Sequence, residues 1–355
     1  MKHEQLTITG VGVLVGIIAV LLVYLGNPAN MGFCIACFIR DTAGGLGLHN
    51  AKVVQYIRPE ISGLILGAFA AAFLNREFAP RGGSAPLTRF ILGFCAMVGC
   101  LMFLGCPLRM LLRIAGGDVN GLIGLLGFAA GIMAGIYFLN RGYSLKRTYK
   151  QSSAEAMLMP FAACLLLLLV VMAPVFVHFS TAGPGSSHAP VIYSLAAGLA
   201  VGALAQRSRF CMVAGLRDFL LFRETKMLLG FVALVVAALL CNAILGAVTG
   251  AGYIKIGLTG QPIAHNDVLW NVLGLFLAGY ACVLLGGCPL RQLILSGEGN
   301  SDSSITLLGF LLGAACCHNF GLASSGAGPT VNGQIAVVLC LVVVTIIAWA
   351  NTFRK

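Results

Sequence analysis

The chain has 355 residues, of which 59% are hydrophobic and only 9% are charged, whereas about a quarter of an average soluble protein is charged. This composition and the mean hydropathy of +0.96 exclude an ordinary soluble domain and indicate an integral membrane protein with many spans. The formal charge of +11 would suggest a nucleic-acid partner in a soluble protein, but here the basic residues concentrate in loops. The apolar segments are long and do not alternate as barrel strands do, so we expect an all-α membrane fold.

Ten segments are long and apolar enough to be transmembrane helices. They are residues 6–26, 57–75, 87–105, 119–140, 157–178, 190–206, 227–249, 268–287, 304–323 and 334–351. The loops at 75–89, 141–156 and 207–226 are rich in Lys and Arg, whereas those at 179–189 and 324–333 contain neither. The positive-inside rule therefore predicts a bacterial inner-membrane protein with both termini in the cytoplasm, including the tail Arg354-Lys355.

Two further apolar stretches are too short to cross a bilayer and too apolar to be ordinary loops. They run from Met31 to Asp41 and over residues 107–115. Re-entrant half-helices fit such stretches, because non-helical backbone at membrane depth is tolerated only where protein or a water-filled cavity covers it.

Three motifs recur in the same order at nearly the same offset. Gly105-Cys106-Pro107-Leu108-Arg109 matches Gly287-Cys288-Pro289-Leu290-Arg291, Leu125-Leu126-Gly127-Phe128 matches Leu307-Leu308-Gly309-Phe310, and Phe33-Cys34 with Arg40-Asp41 matches Phe210-Cys211 with Arg217-Asp218. We infer a duplication in which an odd number of spans separates the two units, so that the second unit is inverted and related to the first by pseudo-two-fold symmetry. Inverted repeats with broken helices are typical of transporters; the alternative is an old duplication with only a structural role.

This reading divides the chain into four parts. We predict a first membrane repeat at 1–140, a basic cytoplasmic linker with an extra transmembrane helix at 141–189, a second inverted repeat at 190–323 and a C-terminal transmembrane helix at 324–355.

The repeated Cys-Pro pairs are the strongest candidates for chemistry. Proline disfavours helix in the residue before it and favours the first position of a new helix, so a helix should break at Cys106 and another should begin at Pro107. The positive end of a helix dipole would then face the thiol, and Arg109 one turn later would add a fixed charge. Cys288, Pro289 and Arg291 would build the same arrangement from the opposite side, which suits a small anion.

The Phe-Cys segments, with Cys34 and Cys211, are expected to form the other wall of this site. Charged side chains follow them, and a charge inside the bilayer is energetically unfavourable unless it forms an ion pair or reaches the membrane–water interface. We prefer a structural locking role over substrate contact for these charges, which are Arg40, Asp41, Arg217 and Asp218.

Other candidates are weaker. Cys34 and Cys37 have the spacing of a redox or metal pair, but the repeat has Ala214 at the matching place, so no metal site is expected. Buried cysteines in the spans behave as small hydrophobes, and we assign Cys95, Cys100, Cys164, Cys241, Cys282 and Cys340 to that class. The chain contains no ATPase or hydrolase motif, and we predict neither enzyme activity nor a cofactor.

The duplicated Phe-Cys and Gly-Cys segments and the ten apolar spans resemble the YeeE/YedE family of bacterial inner-membrane transporters of sulfur-containing ions. Gly-Cys-Pro-Leu-Arg and the chain length are most similar to the YedE branch of selenium transporters, since the thiosulfate branch follows its Gly-Cys with Thr and Ser. The resemblance implies an hourglass-like fold with re-entrant helices and a cysteine-lined central path. It places the family's cysteines on Cys34, Cys106 and Cys288, and internal symmetry adds Cys211.

The resulting hypothesis is uptake of a small selenium- or sulfur-containing anion along these four cysteines. The resemblance also implies a possible partner, a small TusA-like sulfur carrier in the cytoplasm. Two alternatives remain: a membrane thiol oxidoreductase that uses paired cysteines, and a non-transporting membrane receptor for a sulfur carrier.

Overall fold

The computed structural model describes residues 2–352 and the side chains of residues 5–352, so the basic tail Arg354-Lys355 lies outside the described residues. The described chain is almost entirely helical. Its helices are α1 (Lys2–Tyr24), α2 (Ile35–Gly45), α3 (Pro59–Leu74), α4 (Pro86–Met102), α5 (Pro107–Ala115), α6 (Val119–Asn140), α7 (Ser153–Met172), α8 (Val191–Ser208), α9 (Met212–Phe222), α10 (Lys226–Thr249), α11 (Val268–Leu285), α12 (Pro289–Gly297), α13 (Ser301–Asn319) and α14 (Val331–Thr352). Two short strands, β1 (Arg81–Gly82) and β2 (Tyr149–Lys150), pair antiparallel.

Eight helical segments among the described residues are long and apolar enough to cross a membrane. Each of the ten predicted spans corresponds to a helix of at least 16 residues, but α3, with 16 residues, and α13, with 19, are not among the eight. The predicted boundaries shift most at α7, which ends at Met172 and not at residue 178. The prediction of an all-α membrane protein is confirmed.

Four short helices interrupt the long ones. Helices α2, α5, α9 and α12 have between 9 and 11 residues, too few to cross a bilayer. A cysteine occupies the N-cap of every one: Cys34, Cys106, Cys211 and Cys288. Proline begins α5 and α12, as the Cys-Pro pairs predict, because its fixed backbone angle suits the first helical position.

The helix pairs occur twice. Helices α1 to α6 have the same order of long and short helices as α8 to α13, and the packing of α1 on α10 recurs as α8 on α3. In the same way, the packing of α4 on α13 recurs as α11 on α6. Small residues allow these close approaches, since a side chain at Gly12 or at Gly67 would collide with the facing helix backbone. This pattern is what the inferred duplication requires, while the domain boundaries and the inversion in the membrane stay predictions.

Two groups of loops mark two faces of the molecule. On the first, which we call the basic face, Arg209 binds both Glu77 and Glu298 and the β1–β2 pair joins the neighbouring loops. On the second, the opposite face, the loops of residues 46–58 and 173–190 meet where Arg58 donates to the Pro184 carbonyl at 2.9 Å.

Candidate functional site

A cluster of three thiols lies at the N-terminal ends of α2 and α5, towards the opposite face. Cys34 and Cys37 lie with their sulfurs 2.9 Å apart, and the Cys34 sulfur also accepts the Cys37 backbone N–H at 3.4 Å. The Cys106 thiol interacts with that of Cys34 and with the backbone N–H groups of Ala36 and Arg109. This three-thiol cluster of Cys34, Cys37 and Cys106 is buried, with each side chain at most 1% exposed. Two helix N-termini therefore direct N–H groups at soft sulfur atoms, which is an environment for an anion.

Arg109 is the charged member of this cluster. Its side chain is fully buried, and its Nη1 lies 3.9 Å from the Cys37 sulfur and donates to the Leu104 carbonyl. Its other donors reach backbone carbonyls, at 3.3 Å for Asn30. Among the described residues no carboxylate binds Arg109, so the cluster holds an uncompensated positive charge. A buried charge without a counter-ion costs several kcal/mol, so a bound anion would be strongly favoured here.

An ion triad lies beyond the three-thiol cluster, between it and the opposite face. Arg40 and Arg58 both bind the fully buried Asp41, at 2.6 and 2.7 Å. Arg40 also lines a cavity of about 410 Å³ whose other walls include Leu104 and His318. The triad ties the end of α2 to the loop before α3, and this geometry fits the preferred reading of Arg40 and Asp41 as structural.

The second pair of cysteines meets on the other side of the molecule. The Cys288 backbone N–H points at the Cys211 sulfur at 3.5 Å, and the two thiols interact with one another. Both side chains are buried, at 4% and 1% exposure. We call Cys211 and Cys288 the two-thiol pair.

The charged groups around the two-thiol pair form ion pairs. Arg291, which occupies the place of Arg109, binds Glu298 at 2.9 Å, and Glu298 also binds Arg209. Arg217 binds its neighbour Asp218 at 2.8 Å, and both are partly exposed. The same arrangement of half-helix and N-cap cysteine thus carries Arg109 without a carboxylate partner among the described residues in one half, and Arg291 with such a partner in the other.

The structure brings the predicted cysteines together two by two: Cys34 with Cys106, and Cys211 with Cys288. Sequence reasoning missed Cys37, which it set aside because the repeat has Ala214, and Arg58, which carries no repeated motif. The loop position of Arg58 immediately before Pro59 gives no signal that its side chain returns to Asp41. Whether a substrate passes along these thiols stays a prediction.

Other polar groups in the core have packing contacts. The His318 ring packs against the His49 ring with centroids 4.7 Å apart and a tilt of 34°. All thirteen cysteines are free thiols. Within residues 2–352, no group of three or more His, Cys, Asp or Glu side chains is arranged to hold a metal ion.

Comparison with known proteins gives two findings. Residues 207–352 match the family model described as Sulphur transport. The chain is also 29% identical over 125 residues to the thiosulfate transporter TsuA of Escherichia coli (strain K12), and this match spans 35% of the chain but only 33% of that protein. Residues 207–352 of this membrane protein are therefore similar to the Sulphur transport family, in agreement with the resemblance to the YeeE/YedE proteins.

Proposed function

We propose that the protein takes up a small sulfur- or selenium-containing anion through the membrane, between the four half-helix N-termini. The anion enters at the opposite face, binds at the three-thiol cluster and leaves by way of the two-thiol pair. The opposite face is then periplasmic and the basic face cytoplasmic, as the positive-inside rule predicts.

The observation that carries this proposal is the placement of cysteines at the N-caps of all four half-helices. Helix N-termini offer unpaired N–H groups and a partial positive charge to an anion. Thiols add weak S–H donors and polarizable surface, which suit sulfur and selenium better than they suit chloride. Each half of the molecule supplies two such ends.

The difference between the two arginines supports a direction of transport. Among the described residues Arg109 has no carboxylate partner, so the three-thiol cluster attracts an anion, whereas Arg291 is paired with Glu298, so the two-thiol pair holds the anion less tightly. A carrier that binds more tightly at the periplasmic end and more weakly at the cytoplasmic end is suited to uptake at low external substrate concentration.

The residues after the Gly-Cys motif support selenium within the substrate class. Pro107 and Pro289 begin α5 and α12, where Thr and Ser follow the motif in the thiosulfate branch. The hydroxyl donors of that branch are therefore replaced here by apolar atoms. On the cytoplasmic side, a TusA-like carrier would accept the released sulfur at the basic face.

Uptake into liposomes tests this function. The purified protein is reconstituted, and entry of ³⁵S-thiosulfate and ⁷⁵Se-selenite is measured against empty liposomes, with each unlabelled anion as competitor. We expect saturable uptake that Cys106→Ala and Cys288→Ala reduce strongly and that Cys164→Ala, at an exposed cysteine of α7, leaves unchanged. Equal uptake by the wild type and by Cys106→Ala and Cys288→Ala would refute the proposed role of the cysteines. Binding of a sulfur carrier without any flux would instead favour a receptor.

One contact favours a second candidate, a membrane thiol oxidoreductase. The sulfurs of Cys34 and Cys37 are 2.9 Å apart, which places these thiols within reach of a disulfide after a small movement. Mass spectrometry of the protein after treatment with a thiol oxidant decides the matter. A reversible Cys34–Cys37 disulfide would support this candidate, and its absence would count against it.

A further inference from the structure

Two more cysteines occupy matching positions in the internal repeat. Cys100 of α4 and Cys282 of α11 are separated by the same number of positions as Cys106 and Cys288. Both side chains are fully buried. Reading them as small hydrophobes explains neither their recurrence nor their position.

Their helices cross in close contact. A Cβ atom at Gly99 would lie 2.5 Å from the Gly274 carbonyl oxygen and 3.2 Å from the Leu277 Cβ, so α4 and α11 are in close contact there. Cys100 follows Gly99 directly, and Cys282 lies little more than one turn beyond Leu277 along α11. The two thiols therefore lie near this crossing.

Each of these thiols also lies near one of the clusters already described. Cys100 lies within electrostatic range of Cys34 and of Cys282, and Cys106 lies within range of Cys100. Cys282 in turn lies within range of Cys211 and Cys288. The order Cys106, Cys100, Cys282, Cys288 connects the three-thiol cluster to the two-thiol pair.

Little else at this depth is polar. Between Leu92 and Met102 in α4, and between Gly274 and Leu285 in α11, the side chains are apolar apart from the cysteines and Tyr280. Tyr280 packs its ring on Phe138 of α6, with centroids 6.0 Å apart. Cys95 is turned to another side of α4, where its thiol interacts with Cys340 of α14. An anion between the two clusters has Cys100 and Cys282 as its polar neighbours from α4 and α11.

We propose that Cys100 and Cys282 form a central binding station, where a sulfur- or selenium-containing anion accepts S–H donors as it passes between the two clusters. The step is non-covalent: the thiols stay protonated, and no bond forms or breaks. Since an anion in an apolar passage is destabilised, removal of these donors raises the barrier at the crossing while the three-thiol cluster keeps its affinity. This inference rests on the proposed uptake function.

Separate measurements of flux and binding test the station. Uptake of labelled thiosulfate and selenite into liposomes, and equilibrium binding of the same anions to the solubilised protein, are compared for Cys100→Ala, Cys282→Ala and the double variant. Cys95→Ala and Cys340→Ala are matched controls, because they remove buried thiols that face away from the crossing. We expect uptake to fall about tenfold for each station variant, equivalent to about 1.4 kcal/mol in the barrier, with the dissociation constant and the controls unchanged.

Different outcomes would refute the central binding station and the proposed uptake function. If wild-type protein moves none of the tested anions, the proposed function fails and the station fails with it. If Cys106→Ala abolishes uptake but the double variant transports at the wild-type rate, the function stands and the station is refuted. Gel filtration checks folding, and where an alanine variant does not fold, Cys100→Val and Cys282→Val replace it. Valine keeps most of the side-chain volume but removes the donor, so we expect the same fall in uptake, and wild-type uptake by both valine variants would refute the station.

Discussion

The three-thiol cluster and the two-thiol pair have the same backbone arrangement but differ in how their arginines are paired. In both, two half-helices begin at cysteines whose sulfurs face backbone N–H groups. Arg109 nevertheless lies buried among carbonyls, whereas Arg291 binds Glu298. In the proposed function, the half with Arg109 attracts the anion and the half with the Arg291–Glu298 pair holds it less tightly. We propose that the features shared by the two halves form the path and that their differences set the direction.

The largest effect is expected from the two arginines. Arg109→Gln should raise the KM for uptake about 10- to 100-fold, because a hydrogen bond to a charged group contributes about 1.5–3 kcal/mol. Arg291→Gln should change KM by less than about threefold, because that guanidinium is already paired with Glu298. Initial rates in liposomes over a range of substrate concentrations measure both.

The arginine comparison has its own control. Arg109→Lys keeps the charge but loses the fork of donors to the carbonyls, so it should fall between the wild type and Arg109→Gln. Equal increases in KM for Arg109→Gln and Arg291→Gln would contradict the difference between the two ends.

A smaller effect is expected from the third thiol of the cluster. Cys37→Ala makes the three-thiol cluster resemble the two-thiol pair, where Ala214 occupies the matching place. We expect KM to rise about fivefold, since a single weak donor contributes about 1 kcal/mol. Cys95→Ala is the matched control on a neighbouring helix, and an unchanged KM in Cys37→Ala would remove Cys37 from the binding site.

The turns before the Gly-Cys motifs give a test of stability. Leu104 and Gly286 occupy matching positions and both have positive φ, at 61° and 81°. A Cβ atom at Gly286 would meet nothing within 4 Å, so Gly286→Ala adds backbone strain without a collision. We expect it to lower the free energy of unfolding by about 1 kcal/mol. Thermal unfolding in detergent measures this, with Gly10→Ala as a control at an open helical position where the stability should not fall.

The smallest effect is expected from pH at the opposite face. Burial lowers the pKa of His49 below its usual 6.5. Its Nδ1 accepts the Ala51 N–H at 3.2 Å and its Nε2 donates to the Arg40 carbonyl, so the folded protein requires the neutral ring. The unfolded chain therefore binds more protons, and stability should decrease as the pH falls below about 6.5.

Melting temperatures between pH 7.5 and pH 5 measure this dependence. His49→Gln should flatten the curve, although the similarly buried His265, whose pKa is also lowered, leaves part of the slope. A melting temperature that rises as the pH falls through this range would have the wrong sign for this account.

The sequence predicted most of the fold because hydrophobic segments, loop charges and repeated prolines are local signals. Pro107 and Pro289 place the starts of α5 and α12 correctly, because proline restricts both itself and the residue before it. The end of α4 was placed three residues too late, since the break depends on the positive φ of Leu104 and not on a turn-forming residue.

The site was less predictable because its contacts join distant parts of the chain. The repeat identified Cys34 and Cys106 but not their interaction, which depends on how α2 and α5 enter the molecule. The binding of Arg291 to Glu298, and the lack of such a partner for Arg109 among the described residues, are likewise tertiary facts. The match between Cys100 and Cys282 was available from the repeat, but composition alone assigns a cysteine inside an apolar helix to packing.

Anomalous diffraction at the selenium edge from crystals grown with selenite would test the central claim most directly. The account predicts a strong selenium peak at the three-thiol cluster, within contact of Cys106 and Arg109, and a weaker peak or none at the two-thiol pair. Equal peaks at both ends, or a peak remote from all of these cysteines, would contradict it.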